Sequence, residues 1–423
     1  MSHRPALGAD LDPLLRRCVQ CGLCLPHCAT WLATGSEVQS PRGRLLLLGE
    51  ALSGPGAQAG FAEAFDLCIG CRACESACPS GVPYDLLERG RDLVGLPSRA
   101  GAAVPPVLLR HLDRTGSLKI VGRLADAARA TLELVLGRSW RRRLARLPAA
   151  RLLGTVPRAP RRDAALVAEL DRLSGLSGRW LRPASATPAD RPLQFFCGCA
   201  NGGLLPDTSR RVLDLCRAAG FAVTVPAGQD CCGALAAHDR RPGRAALLAR
   251  RNRQAFAPAT PILAEAAGCT LELAGYGDGW RERVIDLSQL LQAAPLPPLA
   301  ALDLKVAVHD PCHARHGRGI VAEPRALLRR IPGLTLVEAE EAEVCCGSGG
   351  AWGLQHPELA RELGRRKARL LAATGADLVV TANPGCLGQI ADGLAWEAPL
   401  LPIRPLSDLL WYAAARGAGH SAD

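Results

Sequence analysis

The second half of the chain alternates short apolar runs with longer stretches of helical periodicity. Apolar runs of strand length lie at residues 193–196, 222–225, 305–308, 334–337 and 378–381. Between them, residues 208–219 and 357–374 place their apolar side chains at helical spacing. Strands and helices that alternate in this way are typical of α/β units with parallel strands.

These α/β stretches form an internal repeat that is marked by cysteines. The first copy carries Cys199, Cys231, Cys232 and Cys269, and the second carries Cys312, Cys345, Cys346 and Cys386 in the same order. In each copy the vicinal pair is followed by glycine, and an apolar run opens the copy. The pattern predicts two copies of one folded unit.

The part of the chain before the repeats has a helical pattern. Residues 41–51 predict a helix, and residues 96–190 are rich in Arg, Ala and Leu, with helical periodicity at 118–137. Three arginines follow Trp140, so this basic segment is either a solvated connector or a surface for a membrane or a partner. Prolines between residues 182 and 192 predict a linker.

Composition and charge narrow the class of protein. Hydrophobic residues make up 48% of the chain, as in ordinary globular proteins, and the net charge is +11. A regulatory protein on nucleic acid would be motivated by that charge alone. The sequence has no DNA-reading motif, so we interpret the charge as an Arg-rich solvated surface and expect no nucleic acid partner. No apolar stretch reaches the roughly 18 residues of a membrane span.

The 18 cysteines call for a separate explanation. The first residues of the chain lack the apolar core of a secretory signal, so a disulfide scaffold is not expected. In the cytoplasm thiols stay reduced, and clustered cysteines there indicate metal or redox chemistry. We expect a cytoplasmic location, with peripheral attachment to the inner face of the cell membrane as an open alternative.

Eight cysteines lie in two runs with the spacing of bacterial ferredoxins. The runs are Cys18-x-x-Cys21-x-x-Cys24-x-x-x-Cys28 and Cys68-x-x-Cys71-x-x-Cys74-x-x-x-Cys78. Three thiolates of such a run reach one cubane, and the fourth ligates the other cluster. The spacing therefore predicts two [4Fe–4S] clusters. The first is held by Cys18, Cys21, Cys24 and Cys78, and the second by Cys68, Cys71, Cys74 and Cys28.

A pair of structural zinc sites is the alternative for these runs. Zinc ligands come as two separated pairs rather than as four successive cysteines, so iron–sulfur clusters are favoured. The helix between the runs opens with Pro41-Arg-Gly-Arg44. Arg42 and Arg44 are either charges that tune a cluster or surface charges.

The paired Cys-Cys-Gly repeats behind a two-cluster ferredoxin domain resemble the family that holds the glycolate oxidase iron–sulfur subunit. Relatives in it include a subunit of the anaerobic glycerol-3-phosphate dehydrogenase, the lactate-utilisation iron–sulfur protein and heterodisulfide reductase subunits. The resemblance covers nearly the whole chain. It rests on residues 41–44, 74–81, 226–234, 309–317 and 381–386.

The chain departs from the family's fullest motif, which ends in Cys-x-x-Cys and gives five cysteines per repeat. Glu272 and Gln389 stand where the fifth cysteines would be. An extra metal site is therefore predicted on four residues, Cys312, Cys345, Cys346 and Cys386. A less favoured one is Cys199, Cys231, Cys232 and Cys269. Each set suits a third cluster, a zinc ion or no metal.

Four further residues lie near these motifs. His313 and His316 are either ligands or proton carriers, or they are polar residues that close a loop beside the cysteines. Cys197 and Cys216 fall outside the pattern, and Cys216 is predicted to be a small core residue.

Together the motifs predict a multidomain α+β protein in four parts. A mostly helical, bacterial-type 2[4Fe–4S] ferredoxin domain spans residues 1–95, and an Arg-rich helical connector spans 96–190. Two α/β cysteine-rich pseudo-repeats follow at 191–300 and 301–423.

The sequence carries no flavin or nicotinamide fingerprint, so no flavin is expected on this chain. Oxidation of a 2-hydroxy acid needs a hydride acceptor, which clusters alone cannot be. The resemblance implies an electron-transfer subunit of a glycolate oxidase (glycolate dehydrogenase) complex that is inactive alone. Its partners would be FAD-binding subunits that oxidise glycolate or a related acid, and its electrons would pass toward a quinone. The alternative is a self-sufficient thiol or disulfide reductase of the heterodisulfide reductase type, working at the Cys-Cys-Gly sites.

Overall fold

The computed structural model describes residues 11–53, 61–83, 86–87 and 191–418, together with isolated positions between 120 and 131. Apart from those positions, the predicted connector at 96–190 and its helix at 118–137 lie outside the described residues. Pro192, which the sequence assigns to the linker, lies in the first strand of the repeats. The boundaries at residues 95, 190 and 300 stay predictions.

The N-terminal part is built from short helices. They are α1 (Asp12–Leu15), α2 (Ala29–Thr34), α3 (Pro41–Ser53), α4 (Phe61–Asp66) and α5 (Ala73–Ser76), with a 3₁₀ turn at Glu37–Gln39. The predicted helix at 41–51 is therefore present and ends two residues later. Leu45 and Leu48 of α3 pack against Phe65, Leu86 and Leu87 in a small core. This core supports the cysteine loops, whose thiols lie beside it.

Each repeat contains one four-stranded parallel sheet. The first repeat contributes β1 (Arg191–Phe196), β2 (Phe221–Thr224), β3 (Ile262–Ala264) and β4 (Val284–Asp286). The second contributes β5 (Leu304–His309), β6 (Leu334–Val337), β7 (Leu378–Thr381) and β8 (Ile403–Pro405). The strand orders are β2-β1-β3-β4 and β6-β5-β7-β8, so the two sheets have the same topology. This confirms two α/β copies with parallel strands.

Helices connect the strands in both repeats. In the first these are α6 (Cys199–Leu204), α7 (Pro206–Ala218), α8 (Ala234–His238), α9 (Pro242–Ala255), α10 (Ala267–Ala274), α11 (Trp280–Arg283) and α12 (Leu287–Gln292). In the second they are a π-helical turn (His313–Gly317), α13 (Ala322–Leu328), α14 (Ala351–Gln355), α15 (Pro357–Ala373), α16 (Pro384–Glu397) and α17 (Leu406–Gly417). Within the described ranges, no helix is both long and apolar enough to cross a membrane.

The strand order places the cysteines of each repeat together. The chain leaves β1 toward β2 on one side and returns to β3 on the other, so the carboxyl ends of β1 and β3 form a crevice. Cys199 and Cys269 follow those two strand ends, and Cys312 and Cys386 follow β5 and β7 in the same way. Parallel topology therefore brings cysteines far apart in sequence to one edge of each sheet.

The two repeats share one hydrophobic core. Leu193 and Phe195 of the first sheet, Val308 of the second, and Trp411 and Tyr412 of α17 belong to one buried cluster. The pairing is completed by polar contacts between the copies. Arg211 Nη1 lies 2.6 Å from Asp408 Oδ2, and both side chains are buried.

The buried carboxyl of Glu265 lies at the same junction. It accepts hydrogen bonds from Ser407 Oγ and, at 3.0 Å, from Asn201 Nδ2. Burial raises the pKa of Glu265 to about 8. Glu265 is therefore a buried carboxyl at the contact between the two repeats.

Candidate iron–sulfur and metal-binding sites

The two cysteine loops of the N-terminal part have the same backbone conformation. Gln20 and Gly22 flank the second cysteine of the first run with φ angles of 57° and 81°. Gly70 and Arg72 flank the second cysteine of the other run with φ angles of 80° and 64°. Left-handed residues on both sides of a cysteine coil the chain tightly, so successive thiols of each run converge.

The first cavity between these loops combines cysteines from both runs. Its thiols belong to Cys18, Cys21, Cys24, Cys74 and Cys78. Pro41, Leu45 and Val82 supply apolar walls. Cys21 is exposed, so this cavity reaches the protein surface.

The second cavity contains the last cysteine of the first run. Its thiols belong to Cys28, Cys68, Cys71 and Cys74, with Ile69, Leu87 and Arg44 beside them. The structure thus brings each predicted ligand set to one cavity, with Cys74 touching both. A cubane needs four thiolates and a largely apolar surround, which the residues of both cavities provide. Which iron each thiolate binds stays a prediction.

Several of these thiols have a higher pKa than free cysteine and so keep their protons to a higher pH. Burial raises the pKa of Cys24, Cys71 and Cys74, and neighbouring thiols raise it further. Iron binds the thiolate, so loading of the clusters must release these protons.

Arg44 is buried beside the second cavity, at 1% exposure, and is not a surface charge. Its Nε donates to the carbonyl oxygen of Ala64 at 2.6 Å, and its Nη2 donates to Gln39 Oε1 at 2.9 Å and Thr30 Oγ1 at 3.2 Å. Its Nη1 lies 4.0 Å from Cys28 Sγ. The guanidinium therefore places a fixed positive charge against a predicted cluster ligand.

Arg42 has a different environment. Its Nε donates to Glu37 Oε1 at 2.6 Å, its Nη1 donates to the carbonyl oxygen of Gln20 at 3.0 Å, and its side chain is 28% exposed. It supports the first cysteine loop from the solvent side.

Gly43 stands between these two arginines because the chain passes very close to it. A Cβ at Gly43 would lie 2.1 Å from the carbonyl oxygen of Glu37, a distance at which the backbone must shift. Gly49, in the same helix, has no described atom within 4 Å of such a Cβ. The segment Pro41-Arg-Gly-Arg44 is thus a packing unit whose two arginines line different cavities, Arg42 the first and Arg44 the second.

Gly43→Ala should lower the free energy of unfolding by about 2 kcal/mol or more, since overpacking against backbone is not easily relieved. Gly49→Ala should leave it unchanged or raise it by up to about 1 kcal/mol, since alanine favours the helix. Denaturant unfolding of the iron-loaded protein measures both. Equal effects of the two substitutions would contradict the close approach at Gly43.

The second cavity adjoins the second repeat. Ile69 and Cys71 pack with Cys312, Cys345 and Trp352 in one buried cluster. The Cys312 thiol is close enough to contribute to the raised pKa of Cys71. The sites of the ferredoxin part and the second repeat are therefore neighbours.

His316 holds this contact together. Its Nε2 donates to the carbonyl oxygen of Glu343 at 2.8 Å, so its Nδ1 accepts from Ser76 Oγ at 2.6 Å. His27 Nδ1 lies 3.2 Å from Glu343 Oε1. Of the two roles considered for His316, the structure places it in the loop-closing one. His313 stacks on His238 of the first repeat, with ring centroids 5.2 Å apart.

In the first repeat all four predicted thiols come together. Cys199 Sγ donates to Cys231 Sγ at 3.4 Å, and Cys232 is hydrogen-bonded to Cys231 and Cys269. Hydrogen bonds from Cys199 and Cys232 lower the pKa of Cys231 well below that of a free thiol. The group can therefore concentrate negative charge on one sulfur.

In the second repeat the four predicted thiols form a chain of contacts. Cys312 is hydrogen-bonded to Cys345, Cys345 to Cys346, and Cys346 to Cys386. The hydrogen bond to Cys345, together with burial, raises the pKa of Cys312. Cys216 lies elsewhere, fully buried in the shared core, as predicted.

His309, at the end of β5, was not predicted from the sequence as a site residue. Its imidazole is buried beside Cys346 and Cys386. Burial and the nearby Lys367 charge lower its pKa, so the ring is neutral. Its position three residues before Cys312, at the end of an apolar run, was the available signal.

Family models match the chain on these two kinds of site. A model described as "4Fe-4S dicluster domain" matches residues 14–82, and one described as "Cysteine-rich domain" matches residues 193–274 and 306–391. Fold and sites thus define an iron–sulfur protein with one dicluster domain and a duplicated cysteine-rich domain.

Relatives of nearly the same extent narrow this class. The "Glycolate oxidase iron-sulfur subunit" of Escherichia coli (strain K12) is 32% identical over 91% of this chain and 92% of its own length. The "Probable glycolate oxidase iron-sulfur subunit" of Bacillus subtilis (strain 168) is 30% identical over 95% and 94%. This chain belongs to the family of glycolate oxidase iron–sulfur subunits, which confirms the resemblance seen in the motifs. A partial match is a fumarate reductase (CoM/CoB) subunit of Methanothermobacter marburgensis, 34% identical over 56% of this chain and 50% of its own length.

Proposed function

We propose that this protein is the electron-transfer subunit of a glycolate oxidase complex. It accepts electrons from an FAD-binding subunit that oxidises glycolate or a related 2-hydroxy acid, and passes them toward a quinone. The names of its full-length relatives support this role. Bound [4Fe–4S] clusters supply one-electron transfer.

The observation that carries the proposal is a continuous row of cysteine sites. It begins at the exposed Cys21 and continues into the cavity that contains Cys28 and Cys71, and Cys74 lines both cavities. The residues of this chain hold the two sites in close succession, and Ile69 packs beside Cys71. A relay of single electrons requires such a succession.

The sequence indicates that substrate oxidation is carried out by another subunit. Without a flavin or nicotinamide fingerprint, the chain has no group that accepts a hydride, so substrate oxidation belongs to a partner. We therefore expect no glycolate oxidation by the chain alone. We propose a cytoplasmic location for the chain.

The test compares the isolated chain with the complex. The chain is co-expressed with its FAD-binding partners, purified anaerobically and mixed with glycolate or D-lactate. The complex should bleach the visible iron–sulfur absorbance within turnover times, and the isolated chain should not. Glycolate oxidation by the chain alone would contradict the proposal, as would flavin turnover without any change in iron–sulfur absorbance.

A second candidate is a thiol or disulfide reductase that works at the Cys-Cys-Gly sites. The contact between Cys199 and Cys231, whose sulfurs lie 3.4 Å apart, favours it, because two adjacent thiols can reduce a disulfide by thiol–disulfide exchange. Glu272 and Gln389 in place of fifth cysteines weigh against it. If this candidate is correct, the isolated chain supplied with a reductant reduces a disulfide substrate. The substitutions Cys231→Ser or Cys346→Ser then abolish that activity.

A further inference from the structure

His309 is a buried histidine without a polar partner. Its side chain is 3% exposed, and neither ring nitrogen has a hydrogen-bond partner among the described residues. A neutral imidazole carries one donor and one acceptor, and leaving both unpaired in the interior is unfavourable. Such a ring requires an interaction that the protein alone does not supply.

The ring faces two buried cysteines. In the part of the chain that the structure describes, His309, Cys346 and Cys386 form a trio whose ligand atoms all lie within 4.8 Å of one another. Two ligands of one tetrahedral zinc ion lie roughly 3.5–3.8 Å apart, given bonds of about 2.0–2.3 Å. The thiolates of a cubane bind different irons and stand further apart. The spacing of the trio therefore suits a single ion.

Neighbouring groups fix the trio and balance its charge. Asn383 Nδ2 donates to Cys386 Sγ at 3.4 Å, and the Gly347 amide donates to Cys345 Sγ at 3.4 Å. Lys367 is buried close to Cys345 and Cys346, where its ammonium also donates to the carbonyl oxygen of Glu341. A divalent ion on two thiolates is neutral, and a third thiolate would be matched by this lysine.

The first repeat lacks the equivalent group. Phe196 ends β1 as His309 ends β5, and each lies three residues before the first cysteine of the repeated motif, Cys199 or Cys312. The Phe196 ring packs on Phe256, with centroids 6.0 Å apart. The histidine thus distinguishes two otherwise parallel cysteine groups.

We propose that the second repeat binds one divalent metal ion of the zinc class through His309, Cys346 and Cys386. Cys345, hydrogen-bonded to Cys346, is the neighbouring thiol for a fourth position. The three ligands come from the end of β5, the Cys-Cys-Gly loop and the start of α16. This site is separate from the electron-transfer role and does not depend on it.

The test uses the full chain, expressed with iron and Zn²⁺ and purified anaerobically. We expect about one zinc per chain that survives gel filtration, with both nitrogen at about 2.0–2.1 Å and sulfur at about 2.3 Å in the zinc X-ray absorption spectrum. His309→Phe, which copies the first repeat, should lower zinc affinity at least tenfold. His309→Cys should restore retention with an all-sulfur shell. His316→Gln, which alters a histidine of the same repeat outside the trio, should retain one zinc.

Iron in the ferredoxin part reports whether each variant has folded. An all-sulfur shell in the unsubstituted protein, full zinc retention by His309→Phe, or a cubane bound to Cys346 and Cys386 would each overturn the proposal. If His309→Phe also loses iron, the variant has not folded and its zinc content is not used. The zinc X-ray absorption spectrum of the unsubstituted protein and zinc retention by His309→Cys then test the proposal. Failure of electron transfer from glycolate would leave all these zinc measurements unchanged, so the two proposals fail separately.

Discussion

Replacing Cys28 and Cys71 together by serine should remove one cluster, whereas replacing Cys28 and Cys21 together should remove both. Cys28 and Cys71 line the same cavity, although they belong to different runs, and Cys21 lines the other. Loss of any ligand is expected to destabilise its whole cluster, so two substitutions in one cavity cost no more than one. In iron analysis the first pair should lose about four irons and the second about eight.

Acid-labile sulfide and EPR on anaerobically purified protein give independent counts. Cys216→Ser, a substitution of a buried cysteine in the shared core, serves as the control and should leave iron content unchanged. An uncrossed arrangement would reverse the two results, because Cys28 and Cys21 would then share a cluster.

Arg44→Gln should lower the reduction potential of the second cluster, on the order of 50–100 mV. The guanidinium lies 4.0 Å from Cys28 Sγ, where a positive charge stabilises the added electron, so its removal makes reduction harder. Unfolding free energy should also fall by about 3 kcal/mol, because the carbonyl oxygen of Ala64 and the Gln39 side chain lose a buried charged donor. EPR-monitored redox titration and denaturant unfolding measure the two effects.

Arg42→Gln is the matched control for this experiment. It removes the same charge from the same helix, but from a partly exposed ion pair with Glu37. The second cluster should keep its potential within about 20 mV, because water and salt screen the distant charge. If both substitutions shift the second cluster equally, the effect comes from overall charge and not from the buried contact.

The longer elements of the fold could be predicted from sequence, and the shortest could not. Apolar runs at 334–337 and 378–381 coincide with β6 and β7, and the helical periodicity at 357–374 coincides with α15 within one residue. The strands β3, β4 and β8 have three residues each, too few to show a period. They exist because neighbouring parallel strands offer them partners, which only the folded sheet supplies.

Some of the site residues could likewise be predicted from the sequence, and others could not. Cysteine spacing led to all four thiol groups, because their positions in the chain carry the information. The sequence does not decide whether Arg44 is buried, because arginine is usually exposed. The one indication of burial in the sequence is the apolar Leu48, which lies one helical turn later. His309 was missed because the absence of a polar partner around it is a property of packing alone.

The core shared by the two repeats stabilises the fold separately from any bound cofactor. In many small metal domains the chain unfolds when the ion is removed, because metal binding supplies the folding free energy that a hydrophobic core would otherwise supply. Here Trp411, Tyr412 and the strands of both copies supply a core of their own, so the two sheets have a stabilising contact besides the cysteine groups. A duplicated unit built in this way can change the ligands of one copy while the other keeps its own. Phe196 and His309, at the same place in the two copies, differ in this way.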